Sequence, residues 1–316
     1  MKYYIGIDIG GMSIKAGVVD ENGNIISKST CVTRVADGKE AIALDMYNLC
    51  KEVTAIANLE QKDILGVGIG CPGTVNSQKG VITFAANLNF KKVNIVKEFN
   101  KHWNVKTVVN NDANCAALGE TKFGSGKEYS SSLFVTLGTG VGTGFIIDNK
   151  IFEGENGEGA EGGHVCIRMD GEKCSCGQKG CWEAYASATA LIKQTKKAMQ
   201  KHPESLMNEI ATKKGEVNGT VAFEAYKAGD KVAEKVVKKY AEYVATGLVV
   251  FINVFRPQVV MIGGGVSNAG EYFIEMIRKQ VKKKVFAGKI NRIPNVVKAN
   301  LGNDAGIVGA AAPVMD

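Results

Sequence analysis

From His164 to Glu183 the chain reads His-Val-Cys-Ile-Arg-Met-Asp-Gly-Glu-Lys-Cys-Ser-Cys-Gly-Gln-Lys-Gly-Cys-Trp-Glu. Four of its eight cysteines fall there, beside one of its three histidines. Cys174-x-Cys176-x4-Cys181 with His164 upstream offers three thiolates and an imidazole, the donor set that tetrahedral Zn²⁺ favours. Gly177 and Gly180 let the backbone turn tightly enough to bring Cys176 and Cys181 to one ion. The alternative, buried thiols beside an unrelated histidine, suits a polar, lysine-bearing loop poorly. Four protein ligands leave no open coordination position, so the metal is read as structural. Glu161 precedes this clip and Glu183 follows it. One ion would thus pin two carboxylates suited to neighbouring hydroxyls; the plainer reading is two surface glutamates.

A second kind of chemistry resides in glycine. In Asp8-Ile-Gly10-Gly11-Met12-Ser-Ile-Lys15, a glycine turn between strands exposes backbone N–H groups toward an anion, and Asp8 suits a Mg²⁺ shell. Alone this is only a hairpin turn. Thr136-Leu-Gly138-Thr139-Gly140-Val-Gly-Thr-Gly144 repeats the device with hydroxyls added, and Gly263-Gly264-Gly265 follows a later apolar run. Gly68-Ile-Gly70-Cys-Pro-Gly73 fits the dinucleotide-binding expression. Pro72 forces an extended Cys71, however, and no helix starts at Thr74, so a turn shaping a ligand pocket is the better reading.

The elements that must carry these residues follow from periodicity. Tyr3–Asp8, Ser13–Val19 and Asn24–Cys31 read as strands, the last two joined by an Asn22-Gly23 turn. Residues 38–58 have helical spacing at Ile42, Met46, Leu49, Val53 and Ile56. Ile64–Ile69 and Val105–Val109 read as strands, and Asn111-Asp112 opens an alanine-rich helix to about Lys122. At Ser132 the opening order recurs as strand, glycine turn, strand, polar turn, strand, a weak internal duplication with one phosphate-sized turn per half. Helices dominate 184–252, Gln258–Ile262 is a strand, and Asp304–Val314 is a helix packed back on the first domain.

The 316 residues suffice for two cores. No apolar run is long enough to span a membrane and no signal peptide is evident, so a cytoplasmic protein without disulfides is expected. Cys31, Cys50, Cys71 and Cys115 read as inert buried thiols. The net charge of +7 concentrates in segments such as Lys193-Gln-Thr-Lys-Lys and Lys282–Lys284. Solvated helix faces explain it better than nucleic-acid binding does, although anionic ligands would benefit from the field.

DIGGMSIKAG, CPGTVNSQKGVITFAANL, NNDANCAALGE, LGTGVGTG, EGGH, CSCGQKGCWE and IGGGVSNAG together resemble the ROK family (repressors, open reading frames, kinases) of the actin and hexokinase superfamily. The resemblance implies an α/β fold of two ribonuclease-H-like domains around a central cleft, over residues 1–115 plus 304–316 and residues 116–303. It implies an ATP-dependent hexose kinase with Mg²⁺ and structural Zn²⁺, making glucose 6-phosphate. Asp112 matches the catalytic base and Asn111 a sugar contact. Glu161, His164 and Glu183 match sugar-hydroxyl ligands, His164 with one nitrogen on zinc and the other toward the sugar. Asn87 and Gly73 are further sugar contacts. The nucleotide would lie at Asp8, Gly10, Gly11, Met12 and Lys15, at Gly138, Thr139 and Gly140, and at Gly263, Gly264 and Gly265. Metal ligation falls to His164, Cys174, Cys176 and Cys181, and a homodimer without membrane or nucleic-acid partners is expected.

Other members phosphorylate N-acetylmannosamine, fructose or allose, or sense sugar without catalysis. Repressors of the family carry a helix-turn-helix domain ahead of the first phosphate loop, for which a start so close to Asp8 leaves no room. Family glucokinases often have an apolar residue such as Ile where this chain has Gly162.

Overall fold

Alternating apolar residues at the N-terminus form β1 (Tyr3–Ile9), β2 (Ser13–Asp20) and β3 (Ile25–Val32), an antiparallel meander. The computed structural model describes residues 1–315. The second turn is held by Asp20, whose carboxylate accepts from the backbone N–H of Asn22 and Asn24 at 2.9 and 2.8 Å. Helix α1 (Gly38–Ile56) buries Ile42, Met46, Leu49 and Val53 against this sheet, whereas Ile56 in its last turn is exposed. Strand β4 (Ile64–Cys71) then adds parallel to β1.

A small sheet not foreseen from the sequence follows: β5 (Thr74–Asn76), β6 (Val81–Ala85) and β7 (Phe90–Val93). After α2 (Ile95–Asn100) comes β8, Thr107–Asn111, parallel to β4. It begins two residues later than the apolar pattern suggests, because its register with β4 runs from Val67↔Thr107 to Cys71↔Asn111. The strand therefore delivers Asn111 at its last position, and α3 (Asp112–Phe123) starts on the next residue. Sheet order is β3-β2-β1-β4-β8.

The second sheet repeats that order. Strands β9 (Ser132–Leu137), β10 (Val141–Ile147) and β11 (Lys150–Ile151) are joined by β12 (Val259–Gly263) and β13 (Asn295–Lys298) as β11-β10-β9-β12-β13. Both sheets are mixed, as expected of two ribonuclease-H-like halves, and the duplication read from the sequence is real at the level of topology. The glycine turn is shorter than 138–144, since β10 begins at Val141. Gly144 lies within that strand, where a Cβ would meet Ala113 O and Ala117 Cβ at 2.6 Å. Helices α4 (Glu183–Ala186), α5 (Ala188–Lys201), α6 (Leu206–Lys214), α7 (Val221–Lys227) and α8 (Lys231–Phe255) precede β12. Helix α9 (Glu271–Lys284) lies between β12 and β13, and α10 (Ala305–Ala311) follows β13. Among the described residues no helix is long and apolar enough to cross a membrane. Cys50, Cys71 and Cys115 are buried as expected, while Cys31, on edge strand β3, is only half-buried.

The chain divides into two compact units. The first comprises Met1–Phe134, Gly144–Ala160 and the chain from Asn300 on; the second comprises Val135–Thr143 and Glu161–Ala299. The first thus takes in all of α3, which a boundary at residue 115 would cut; Asp316, the last residue assigned to that domain, lies outside the described residues.

The first unit keeps α3 whole because α3 packs on α10, and α10 lies on the sheet. Gly6 pairs with Gly17 on one side and Gly68 on the other, so three strands present a lane without side chains. A Cβ on Gly6 or Gly68 would fall within the carbonyl groups of Ile307 and Ala310, and one on Gly119 would meet Gly309 Cα at 2.8 Å. Buried Glu120 secures the return of the chain, its carboxylate accepting from the backbone N–H of Asn300 at 3.1 Å and Leu301 at 2.6 Å. Gly68→Ala is expected to lift α10 and cost about 3 kcal/mol of unfolding free energy, the upper range for overpacking. Gly219→Ala, where a Cβ meets nothing within 4 Å, should change little. Urea titration of both variants checks this; equal midpoints would mean the lane does not hold the helix.

Candidate active site and metal centre

Parallel strands β1, β4 and β8 all end on one edge of the first sheet, the edge at which ligands bind in open α/β folds. Asp8 stands opposite Gly70 there, and Cys71 opposite Asn111. Asp8 and Asp112 both raise the pKa of the buried Cys71 and Cys115 thiols, after burial itself, so both carboxylates act on one small region. Burial also pushes the Asp8 carboxyl up, opposed by Lys15, its cross-strand partner. A half-buried carboxylate so weakly compensated suits a divalent cation. The glycine turn beyond Asp8 closes with Gly10 N–H donating to Ser13 O at 2.9 Å, leaves Met12 87% exposed, and abuts Asn87 at Gly11.

Asn111 caps α3, its side-chain oxygen accepting from the N–H of Ala113 and Asn114 at 2.9 and 3.1 Å. Its amide also donates to Gly73 O at 3.0 Å, tying the turn after β4 to the start of the helix. Gly73 takes φ 91° and leaves no room for a Cβ beside Phe84 O, so that turn requires glycine. Asp112 is therefore not the cap. It occupies the first helical position, where the positive helix end favours an ionised carboxylate, and accepts from Ala113 N–H at 2.8 Å.

Sequence reasoning missed Glu153. Its carboxylate accepts from the Asn110 amide and, at 2.6 Å, from the Ser77 hydroxyl, joining the end of β8 to the loop after β5. Its only sequence signal is an acid in a glycine-rich loop, which does not reveal two distant partners.

In the second unit the four expected ligands converge. His164 Nδ1, Cys174 Sγ, Cys176 Sγ and Cys181 Sγ lie within 4.8 Å of one another. Cys176 and Cys181 sulfurs are 3.7 Å apart, and Cys174 Sγ lies 3.7 Å from His164 Nδ1. With Zn–S near 2.3 Å, a tetrahedron has edges of about 3.8 Å, so the donor set fits zinc. Gly177 and Gly180 take φ 93° and 81°, the tight turns the spacing implies. Burial, then hydrogen bonding with Cys176, pushes the Cys181 thiol up to about 12, whereas the backbone of Gln178 pulls Cys176 down. Ionising all three thiols needs a cation among them.

With Nδ1 turned to the sulfurs, Nε2 of His164 points away from the clip, and His164 is exposed. Glu161 is also exposed, at the entry to the Gly162–His164 turn. That turn packs along β10, with Gly162 N–H donating to Thr143 Oγ1 at 2.9 Å. Glu183 reaches the second glycine turn instead of standing free. It accepts from Val141 N–H at 3.1 Å and from Ser175 Oγ at 2.9 Å, and Gly140 has no room for a Cβ beside it. The third turn joins the second, since a Cβ on Gly264 would meet the backbone of Leu137 at 2.5 Å, while Gly265 faces open space. Thr139 presents its carbonyl to Thr189 Oγ1 at 2.8 Å. The zinc ligands, Glu183 and the glycines at 138–140 and 263–265 thus form one cluster in this unit.

The chain matches the ROK family over residues 4–316. It is 38% identical to a glucokinase of Streptomyces coelicolor over 97% of this chain and 96% of that one. With a glucokinase of Thermotoga maritima it shares 33% over 99% and 97%. The crystal structure of a ROK family glucokinase from Streptomyces griseus, in complex with glucose and AMPPNP, superposes with a TM-score of 0.83 at 35% identity, covering 98% of each chain. By its match along almost its whole length, its paired sheets and its Cys₃His cluster, this chain belongs to the ROK family, where its relatives include glucokinases.

Proposed function

We propose that the protein is an ATP-dependent hexose kinase that phosphorylates the 6-hydroxyl of glucose. The observation that carries this reading is Asp112, free of the capping role, on the same sheet edge as Asp8 and the first glycine turn. Kinship with a glucokinase whose structure holds glucose and AMPPNP supports the choice of substrates. In this reading the glycine turns bind the nucleotide through backbone N–H groups, and Asp8 would hold Mg²⁺, which would supply neutralisation of phosphate charge. Asn111 and the Gly73 turn contact the sugar, with Glu161, His164 Nε2 and Glu183 taking further hydroxyls. Asp112 accepts the proton of the 6-hydroxyl as that oxygen bonds to the γ-phosphorus and the bond from phosphorus to the bridging oxygen breaks, releasing ADP. A carboxylate of ordinary basicity suffices, because the loose transition state draws the proton late.

Asp112→Asn separates chemistry from folding. Because Asn111 retains the cap, stability should stay within about 1 kcal/mol, the size of a capping or dipole effect. Loss of the base should lower kcat by roughly 10²–10⁴-fold with sugar and nucleotide still binding. Steady-state kinetics and calorimetry decide it: near-normal kcat removes Asp112 from the chemistry.

Zinc should be present at about one ion per chain. Cys176→Ser should lose the metal and raise the KM for glucose at least tenfold, because His164 and the start of α4 lose their anchor. Metal analysis alongside sugar titration tests this, and a zinc-free variant with an unchanged KM would separate the clip from sugar binding.

Across a panel of hexoses, kcat/KM should be highest for glucose. A higher value for N-acetylmannosamine, fructose or allose would reassign the substrate within the same chemistry.

A further inference from the structure

In the second unit, α5, α8 and the loop between His164 and Cys174 enclose a cavity of about 640 Å³. None of the glycine-turn or zinc-ligand residues lines it. Its walls carry Arg168 and Lys173 from the loop, Lys193, Lys197 and Lys201 from α5, and Lys235 from α8, against a single carboxylate, Glu172. Among the described residues none of these six cations has a carboxylate within 4.0 Å; other lysines on α8 do, whereas α5 carries no acid and its Lys196, outside the cavity, has none either. Lys231 and Lys238 both pair with Glu234, and Lys239, a seventh cation in the lining, pairs with Glu242.

The gathering of these cations in one concavity, more than their lack of partners, points to a binding site. Lysines at 193, 197 and 201 follow one another at helical i, i+4 spacing, where like charges repel. A face selected only for solubility would interleave acids, as α8 does around Glu234. Here the repulsion is focused into a concavity instead, which strengthens attraction for an anion. The floor is apolar and firm: the rings of Tyr185 and Tyr243 lie 4.9 Å apart, and Tyr185 Oη accepts from Glu172 N–H at 2.6 Å, tying the loop to the helices. The volume is that of a small-molecule site, not of an extended nucleic-acid track. A second copy docked symmetrically through this face would set its cations against their equivalents.

We propose that this cavity binds a small anion carrying two or more phosphate groups, at a site separate from the glycine turns. With lining cations on the loop, on α5 and on α8, an anion with more than one charged centre matches the site better than a single one. Because Arg168 and Lys173 lie between His164 and Cys174, occupancy would brace the zinc loop from the side opposite its ligands.

The test is calorimetric titration of the zinc-loaded full chain with inorganic tripolyphosphate, with sulfate at equal ionic strength as reference. The Lys197→Glu/Lys235→Glu variant is titrated in parallel, its fold checked by circular dichroism and zinc content. Lys193→Gln/Lys201→Gln serves if charge reversal impairs folding. Expected is a binding event in the parent chain that sulfate does not reproduce and that weakens at least tenfold in the variants. A sugar bisphosphate and a nucleoside diphosphate then distinguish sources, each judged by the difference between parent and variant. The proposal is overturned by equal affinity and stoichiometry in parent and variants, by equivalent binding of sulfate, or by tighter cavity-dependent binding of an oligoglutamate peptide, which would mark a protein-docking surface.

Discussion

Helix α10 can lie on the first sheet only where the sheet has no side chains. Gly17, Gly6 and Gly68 are in register across β2, β1 and β4; the helix backbone occupies the space Cβ atoms on Gly6 and Gly68 would need, and one on Gly17 would meet Ile307 Cγ2 at 3.0 Å. Close approach continues outward, since Gly309 of α10 meets the backbone of α3 at Cys115, and Gly119 of α3 meets Gly309 in turn. Such contacts allow almost no sliding, because a packed interior transmits displacement instead of absorbing it. The start of α3 is thereby fixed against the end of β8, and the first residue of α3 is Asp112. A proton acceptor must be held within a fraction of an ångström of its productive position. For the base proposed at Asp112, glycines far from the carboxylate would supply that accuracy.

The second unit reaches similar rigidity by other means. Its sheet has the same strand order, yet the side chains that would meet ligands hang from a loop, and a loop alone holds geometry poorly. Four soft ligands supply what a glycine lane supplies elsewhere. Glu183 makes the coupling physical, since one carboxylate takes both Val141 N–H beside the glycine turn and the Ser175 hydroxyl inside the clip. Gly162 belongs to the same packing. A Cβ there would meet Phe251 Cζ and Thr143 Oγ1, both at 2.7 Å, so other side chains already occupy that volume.

What could be read from the sequence depended on how local the determining interaction was. The meander of β1 to β3, the Asn22-Gly23 turn and the zinc clip are written in contiguous residues, and all three form. The duplication was legible because it repeats as an order of elements. The strand before Asp112 was placed two residues early, since its apolar residues suit either register and β4 makes the choice. Gly144 looked like part of a turn although it serves helix packing, a distinction that depends on Ala113 and Ala117. Glu153 and Glu120 were invisible for the same reason: each is an ordinary acid whose meaning lies in partners distant in sequence.

Charge follows the same rule. From composition, the lysines of α5 and α9 looked alike, basic stretches on amphipathic helices. The structure divides them by their partners. On α9 and the outer face of α8, several cations stand beside glutamates, Arg278 with Glu271 and Glu275, Lys284 with Glu242 and Lys238 with Glu234, although among the described residues Lys282 and Lys283 do not. Such exposed pairs are worth little individually, but they remove repulsion and leave a neutral, solvated surface. On α5 no acid is interposed from Lys193 to Lys201, and the helix faces further cations across a hollow. Folding alone gives no reason to gather like charges where field lines converge, because the compact state is destabilised by their repulsion. An arrangement that opposes folding and persists in an otherwise well-packed unit is most simply explained by something the unit binds.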